Sequence, residues 1–155
     1  MFNVTKLPEL SFFCQQIQLP SITLGEPEFA NPFSKQPVPG ETLTYDQLTI
    51  QFIVDSEMKN YKAIYNWIIA LGFPQSYQQY INLVQGDSLN YSELAKNYSD
   101  ATLQILSANN ETGHTIQFTD VFPTTIESLQ FMSTATDVQY LTGNATFRFG
   151  YYKFL

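Results

Sequence analysis

Charged residues are scarce in this chain of 155 residues. Asp, Glu, Lys and Arg together make up 14% of it, against roughly 25% in typical domains. The seven Lys and Arg are scattered and the formal net charge is −7, which argues against a phosphate-binding face. With so few charges, the surface is either neutral and polar or covered by other subunits. We favour coverage, because aromatic residues make up 15% of the chain and exposed aromatics promote aggregation.

Cysteine, histidine and long apolar runs are also nearly absent. Cys14 is the single cysteine, which excludes an internal disulfide and indicates a reducing site of synthesis. A nucleophilic pair of Cys14 and His114 is conceivable, but no nucleophile motif surrounds either residue, and one Cys plus one His cannot form a typical zinc site. No apolar run approaches the ~20 residues of a membrane span, and the first ten residues contain no signal core. We therefore predict no catalytic residues, no metal, no cofactor, no membrane insertion and no secretion by that route.

The clearest local pattern lies in residues 42–74. Apolar residues alternate with polar ones from Leu48 to Val54, which is the two-residue period of a half-buried strand. Asp55 or Ser56 is suited to cap a following helix, and from Glu57 the apolar spacing changes to three and four residues. We predict a helix over residues 57–71 that packs on the sheet and ends at Gly72. Its predicted packing residues are Tyr61, Ile64, Trp67 and Ile68.

Residues 26–40 contain four prolines and no sustained hydrophobic period. Because proline cannot serve a central strand, we predict that this segment is an extended arm or loop. Long loops on compact domains are usually functional or disordered, and two phenylalanines in this segment favour contact with a partner. The candidate subunit-interface residues are Phe29, Phe33, Pro37 and Pro39.

The remaining chain is mostly β-like. Residues 75–97 are polar and tyrosine-rich, and we interpret them as an irregular excursion with one helical turn at about 77–84. Alternating strands follow, ending in a long C-terminal run over residues 138–155, where Gly143 and Gly150 mark bulges or close approaches. The predicted fold is one mainly β (α+β) domain over residues 1–155, a sandwich or barrel of long antiparallel strands with one packed helix. The predicted strand edges carry few charges that would discourage pairing with further strands. Either the sheet therefore closes on itself, or strands of neighbouring subunits pair with its edges.

Several segments resemble a known family. Residues 12–20, which read FFCQQIQLP, are similar to the opening strand of the tail tube proteins of contractile-tailed bacteriophages. The similarity resumes at Gly40 and continues through LTYDQLTIQFIVD at residues 43–55, KNY at 59–61 and IYNW at 64–67 to Gly72. This order resembles the family's strand, acidic turn and tryptophan-containing helix. The alternating C-terminal strand also fits, and residues 75–97 match least well.

The resemblance implies a structural subunit without catalytic residues. It implies a β-sandwich that assembles as hexameric rings, which stack into a hollow tube inside a sheath. Sheath and baseplate proteins are the implied partners, DNA passes through without specific binding, and the subunit resides in the virion tail after synthesis in the host cytoplasm. Related tubes occur in contractile injection systems. The alternatives are a tube-initiating baseplate protein of the same fold and, in another class, a monomeric carbohydrate- or lipid-binding β domain.

The charge balance adds an expectation about the lumen of such a tube. A basic lining would hold duplex DNA by counterion release and slow its exit, so we expect a polar lining that is not basic. The candidate polar faces lie on the C-terminal strand and on the strand before the helix. Their members are Thr142, Asn144, Thr146 and Arg148 on the first, and Asp46, Thr49 and Gln51 on the second.

Overall fold

A computed structural model describes residues 1–10, 13–30, 33–86, 97–106, 112–131 and 140–155. In chain order the strands are β1 (Phe2–Val4), β2 (Cys14–Gln18), β3 (Ile22–Leu24), β4 (Glu28–Ala30), β5 (Lys35–Pro37), β6 (Leu43–Tyr45), β7 (Leu48–Ile53), β8 (Ser99–Leu106), β9 (Thr112–Ile126), β10 (Thr142–Arg148) and β11 (Tyr151–Phe154). The helices are α1 (Lys59–Gly72) and α2 (Gln78–Gly86), and a 3₁₀ turn covers Pro8–Leu10.

Seven strands form one antiparallel sheet in the order β1-β8-β9-β10-β7-β2, with β11 also paired to β9. The fold is therefore mainly β, as predicted, although the sheet is not a closed barrel. β9 belongs to both halves of the sheet: β8 and β11 pair with its first part and β10 with its last. Between the two parts, Asp120 has φ of 58°, a left-handed conformation that accompanies bulges and strand bends.

Alternation along β7 places its apolar side chains in the core. Leu48, Ile50 and Phe52 are completely buried, whereas Thr49 and Gln51 between them are half-buried. The core also receives side chains from β1, β8, β9, β10 and α1. Each fully buried large apolar side chain stabilises the fold by ~1.5–3 kcal/mol relative to exposure.

Helix α1 occupies Lys59–Gly72, close to the predicted residues 57–71. The predicted caps are wrong, because Met58 is the N-cap residue and makes no side-chain capping bond. Asn60 takes over the connection to the sheet: its Nδ2 donates to the Ile53 carbonyl at 2.7 Å and its Oδ1 accepts from the Asp55 N–H at 3.2 Å. At the other end Phe73, not glycine, adopts the left-handed conformation, and its N–H donates to the Ile69 carbonyl at 2.6 Å.

A second helix, α2, lies where we predicted an irregular excursion with one helical turn. The prediction of a single helix is therefore wrong. The polar residues of α2 obscure its period in the sequence, but they support it locally, since Gln78 donates to Asn82 one turn later at 3.0 Å. The rings of Phe73 and Tyr80 meet at 6.1 Å between the two helices. Residues 87–96 of the predicted excursion lie outside the described residues.

The C-terminal run is two strands that follow one line opposite β9. Arg148 pairs with Phe122 and Tyr151 with Thr119, so the register continues across the break at Gly150. Gly143 is a close approach, as predicted, because a Cβ there would come 3.1 Å from the Phe52 ring. Residues 132–139, which include the start of the predicted run, lie outside the described residues.

Candidate assembly surfaces

Residues 21–30 and 33–46 form a β-hairpin that we call the arm. Its inner part pairs β3 with β6, opposing Leu24 and Leu43, and its outer part pairs β4 with β5, opposing Ala30 and Lys35. Between these parts the Gly40 N–H donates to the Gly25 carbonyl at 2.7 Å. The described part of the arm is thus a hydrogen-bonded ribbon rather than an irregular loop.

The prolines predicted an extended arm or loop without strand pairing, because proline lacks the N–H that a central strand needs. A two-stranded ribbon has two open edges, so proline is tolerated there. Pro37 opposes Glu28 at the end of β5, and the Pro27 carbonyl still accepts from the Val38 N–H at 3.0 Å.

Apolar side chains on the arm face water. Phe33 is 95% exposed and Phe29 is 66% exposed, and the candidate residues Pro37 and Pro39 are exposed as well. Four further large apolar side chains of the described arm are exposed: Ile22, Leu24, Val38 and Leu43. The ion pair between Lys35 and Glu28, at 3.0 Å, joins two largely exposed side chains and contributes little to stability. Several large exposed apolar side chains on one short hairpin are typical of a contact site.

The predicted helix-packing residues lie on the inner side of α1. Ile64 is completely buried and Trp67 is 4% exposed, while Tyr61 and Ile68 are half-buried against the same core. The Lys6 ammonium lies 5.7 Å from the centroid of the Trp67 ring, within cation–π range. Within the described residues the Trp67 Nε1 has no hydrogen-bond partner. These side chains lie between α1 and the seven-stranded sheet, and we call the sheet and α1 together the body.

The side of the β2-β7-β10 sheet that faces away from the core is polar and almost uncharged. Cross-strand pairing aligns Gln16, Gln51 and Asn144 in one row. It aligns Gln18, Thr49 and Thr146 in the next, which Thr125 of β9 extends. We call these seven residues the polar face.

Charged groups lie at the margins of the polar face. Glu127 Oε2 accepts from Asn144 Nδ2 at 2.7 Å, and Arg148 is exposed at the end of β10. Asp46, predicted to belong to this surface, instead lies at the base of the arm, where its Oδ1 accepts from the Gln47 N–H at 2.7 Å.

The sheet keeps Cys14 and His114 apart. Cys14 is on β2, and His114 is in the part of β9 that pairs with β8, so β7, β10 and the last part of β9 lie between them in the sheet. Burial raises the pKa of the Cys14 thiol, which disfavours the thiolate that a nucleophile requires. His114 is exposed. These two residues therefore do not form a catalytic pair.

The described residues contain no group of three or more His, Cys, Asp or Glu side chains arranged to hold a metal ion. No described helix has the length and apolar character needed to cross a membrane.

The sequence did not predict one aromatic group, because its members come from distant segments. Tyr45, at the end of β6, lies with its ring centroid 5.7 Å from those of both Phe149 and Tyr152. We call these three residues the arm-base cluster. Only the strand register, which brings β6 beside the junction of β10 and β11, could have revealed it.

Comparison with known proteins identifies the family. A family model described as phage tail tube protein matches residues 2–155. Among solved structures, a chain of the anti-feeding prophage cap, described as a tube terminating cap, shares 18% identity at a TM-score of 0.61, covering 99% of this chain and 87% of that one. A chain of the anti-feeding prophage baseplate shares 11% identity at a TM-score of 0.59, covering 99% and 89%.

A third similar chain comes from the sheath-tube complex of the PVC extracellular contractile injection system in its extended state. It shares 15% identity at a TM-score of 0.53, covering 90% of this chain and 78% of that one. The curated proteins contain no match. At such low identities the structures show a common fold, whereas the family model spans nearly the entire chain. The chain therefore belongs to the phage tail tube protein family.

Proposed function

We propose that this chain is the subunit of an inner tail tube, in which copies form hexameric rings that stack into the conduit for genome ejection. Membership of the family implies a structural component of the virion tail. The arm is the observation that supports assembly of copies into rings and tubes, because it is a paired ribbon whose apolar side chains are exposed in the single subunit.

A second copy of the chain is the occupant that fits the arm best. A head-to-tail ring joins two different surfaces of the same subunit, and a stack repeats such a contact along its axis. Phe29 and Phe33 supply large apolar area on one such surface. Burying this area against a neighbour would recover hydrophobic free energy that the isolated subunit forgoes.

The sheet offers main-chain contacts to the same neighbours. Among the described residues, β2 and β11 each pair with another strand on one side only. Unpaired strand edges bind further strands, and these carry few charges that would oppose pairing. Joining such edges between subunits would close the ring.

The polar face is the proposed lining of the conduit. Its seven side chains are uncharged, so they neither attract nor strongly repel the DNA phosphates. The lysines of α1, Lys59 and Lys62, belong to a helix that packs on the opposite, core-facing side of the sheet. Sheath and baseplate proteins are the proposed partners on other surfaces, consistent with the assemblies in which the similar chains occur.

Removal of the outer arm tests the proposal. Deleting residues 26–39 joins Gly25 to Gly40, which already lie in hydrogen-bond contact, and leaves a four-residue connection between Leu24 and Leu43, a common hairpin length. We expect a folded subunit with an unchanged Tm that forms no tubes in negative-stain micrographs. A deletion variant that polymerises like the parent would exclude the arm as an assembly contact.

Point variants supply the matched control. Phe33→Ser replaces a 95% exposed aromatic of the arm, and Tyr65→Ser replaces a 48% exposed aromatic of α1. We expect Phe33→Ser to slow tube formation and Tyr65→Ser to leave it unchanged. Equal effects would mean that the arm has no special part in assembly.

A tube-initiating or tube-terminating protein is the second candidate, because the similar chains include members of a baseplate and of a tube terminating cap. Such a protein needs an unlike partner on one side of its ring. Concentrated pure protein distinguishes the candidates, since a tube subunit forms long tubes and an initiator stops at single rings. A protein that stays monomeric at all concentrations would instead favour a carbohydrate- or lipid-binding β domain.

A further inference from the structure

The arm continues from the sheet through a break in one long ribbon. In the sheet Gln18 pairs with Thr49, and in the arm Ile22 pairs with Tyr45, which is the same register. Between these pairs no residue belongs to a strand, and the main chain keeps one bond in register, from the Asp46 N–H to the Ser21 carbonyl at 3.1 Å. A ribbon bends most easily where its ladder is weakest. The direction of the arm therefore depends on side-chain contacts as well as on this bond.

The arm-base cluster supplies a contact of this kind. The Tyr45 ring, on the arm side of the break, touches Phe149 and Tyr152 at centroid distances of 5.7 Å each. Both partners also touch Phe118, at 5.2 Å for Phe149 and 5.5 Å for Tyr152. Phe118 is completely buried. A chain of ring contacts thus connects the arm to the core of the body.

Tyr152 also reaches the other strand of the ribbon. Its hydroxyl donates to the Pro20 carbonyl at 3.4 Å. The ring of Tyr152 therefore contacts one strand beside the break and its hydroxyl contacts the other. This bond is long, so the rings contribute more to the contact than the hydroxyl does.

We propose that Tyr45 and Tyr152 are positioning residues, which fix the direction of the arm relative to the body and so orient it for assembly. The proposal rests on the proposed function of the arm. If Tyr45 served core packing alone, its truncation would leave the direction of the arm unchanged. On our proposal, truncation of Tyr45 changes the direction of the arm and leaves the core packed, because Phe118 and Phe149 remain in contact without Tyr45.

A distance measurement separates these two roles. Cysteines for spin labels replace Gln36 on β5 and Asn66 on α1, both exposed, in a Cys14→Ser background. The distance distribution is measured by pulsed electron spin resonance on unassembled subunits isolated by size exclusion. We expect a narrow distribution in the parent and a broadened or displaced one in Tyr45→Ala. A Tyr45→Ala distribution as narrow as the parent's and at the same distance overturns the proposal.

Conservative and control variants sharpen the result. Tyr45→Phe keeps the ring contacts and Tyr152→Phe removes only the hydroxyl, so both should retain a narrow distribution. Tyr151→Ala removes an exposed ring from β11 and should match the parent. Broadening in Tyr151→Ala equal to that in Tyr45→Ala would overturn a specific role for the arm-base cluster.

Assembly kinetics complete the test. Loss of two ring contacts corresponds to about a tenfold change in the equilibrium constant for alignment of the arm, so we expect the tube formation rate of Tyr45→Ala to fall by up to about tenfold. Its Tm should remain near that of Tyr45→Phe. If deletion of residues 26–39 blocks assembly but Tyr45→Ala assembles at the parental rate, the positioning role is refuted and the role of the arm in assembly is retained. If the deletion variant assembles normally, the proposed role of the arm in assembly fails, while the distance result still decides whether the arm is positioned.

Discussion

The body and the arm place the same kinds of side chain in opposite surroundings. In β7, Leu48 and Phe52 are completely buried, whereas Phe29 and Phe33 of the arm are 66% and 95% exposed. Both regions are hydrogen-bonded antiparallel ribbons, so secondary structure does not distinguish them. The body strands have a second layer, which α1 and the other half of the sheet provide, whereas no described residues form such a layer on the arm. The arm therefore retains apolar area that a contact with another subunit could bury.

The comparison predicts that stability resides in the body. Trp67→Ala removes a side chain that is 4% exposed beneath α1, and we expect a loss of ~3–5 kcal/mol in the free energy of unfolding. Urea denaturation of the variant lacking residues 26–39 measures this without the contribution of assembly to apparent stability. Tyr65→Ala, on the outer side of the same helix, should stay within ~0.5 kcal/mol. An unchanged midpoint in Trp67→Ala would show that the tryptophan is not part of the core.

The body was easier to predict from the sequence, because apolar and polar residues that alternate along a strand identify its buried face. The period of β7 correctly placed Leu48, Ile50 and Phe52 inside. The ends of α1 were less predictable, since Met58 and Phe73 adopt left-handed conformations that sequence rules assign to glycine or asparagine.

For residues 26–40 the proline content predicted an extended arm or loop, and the pairing of β4 with β5 was not predicted. The sequence rule for proline assumes a strand with neighbours on both sides, and each arm strand has one among the described residues. The arm-base cluster could not be predicted at all. Tyr45 and Tyr152 are brought together by strand register, which no local pattern in the sequence reports.

A smaller effect is expected at the bend of β9. Asp120 has φ of 58°, which costs a β-branched residue more than it costs aspartate or glycine. Asp120→Val should therefore destabilise the body by ~1–2 kcal/mol, and Asp120→Gly should be neutral or stabilising. Gln117→Val, elsewhere on β9 with ordinary strand geometry, is the control and should cost little. Equal unfolding free energies for the two valine variants would show that the bend carries no strain.

The arm should respond to substitution without unfolding of the body. A Cβ at Gly40 would lie 2.4 Å from the Gly25 carbonyl oxygen, so Gly40→Ala must displace the outer arm. At Gly25 the nearest atom would be 3.5 Å away, which is ordinary contact. We expect Gly40→Ala to form tubes at least several-fold more slowly and Gly25→Ala to match the parent, with both Tm values unchanged. A Gly40→Ala variant that assembles normally would show that the path of the outer arm is not critical.

The smallest effect on stability is expected at the polar face, where the consequence should appear in function instead. Gln18→Lys adds a charge to an exposed position of β2 and should change the unfolding free energy by no more than ~0.5 kcal/mol.

If the polar face lines the conduit, every Gln18→Lys subunit adds a positive charge beside the DNA, and tubes should retain short duplexes that nuclease cannot reach. Retention by counterion release falls steeply between ~50 and ~200 mM salt, so salt should free the duplexes. Asn66→Lys adds the same charge to the exposed side of α1. DNA bound by these tubes should lie on the outside, where nuclease digests it. Protected DNA in the Asn66→Lys tubes, or none in the Gln18→Lys tubes, would place the conduit on a different surface.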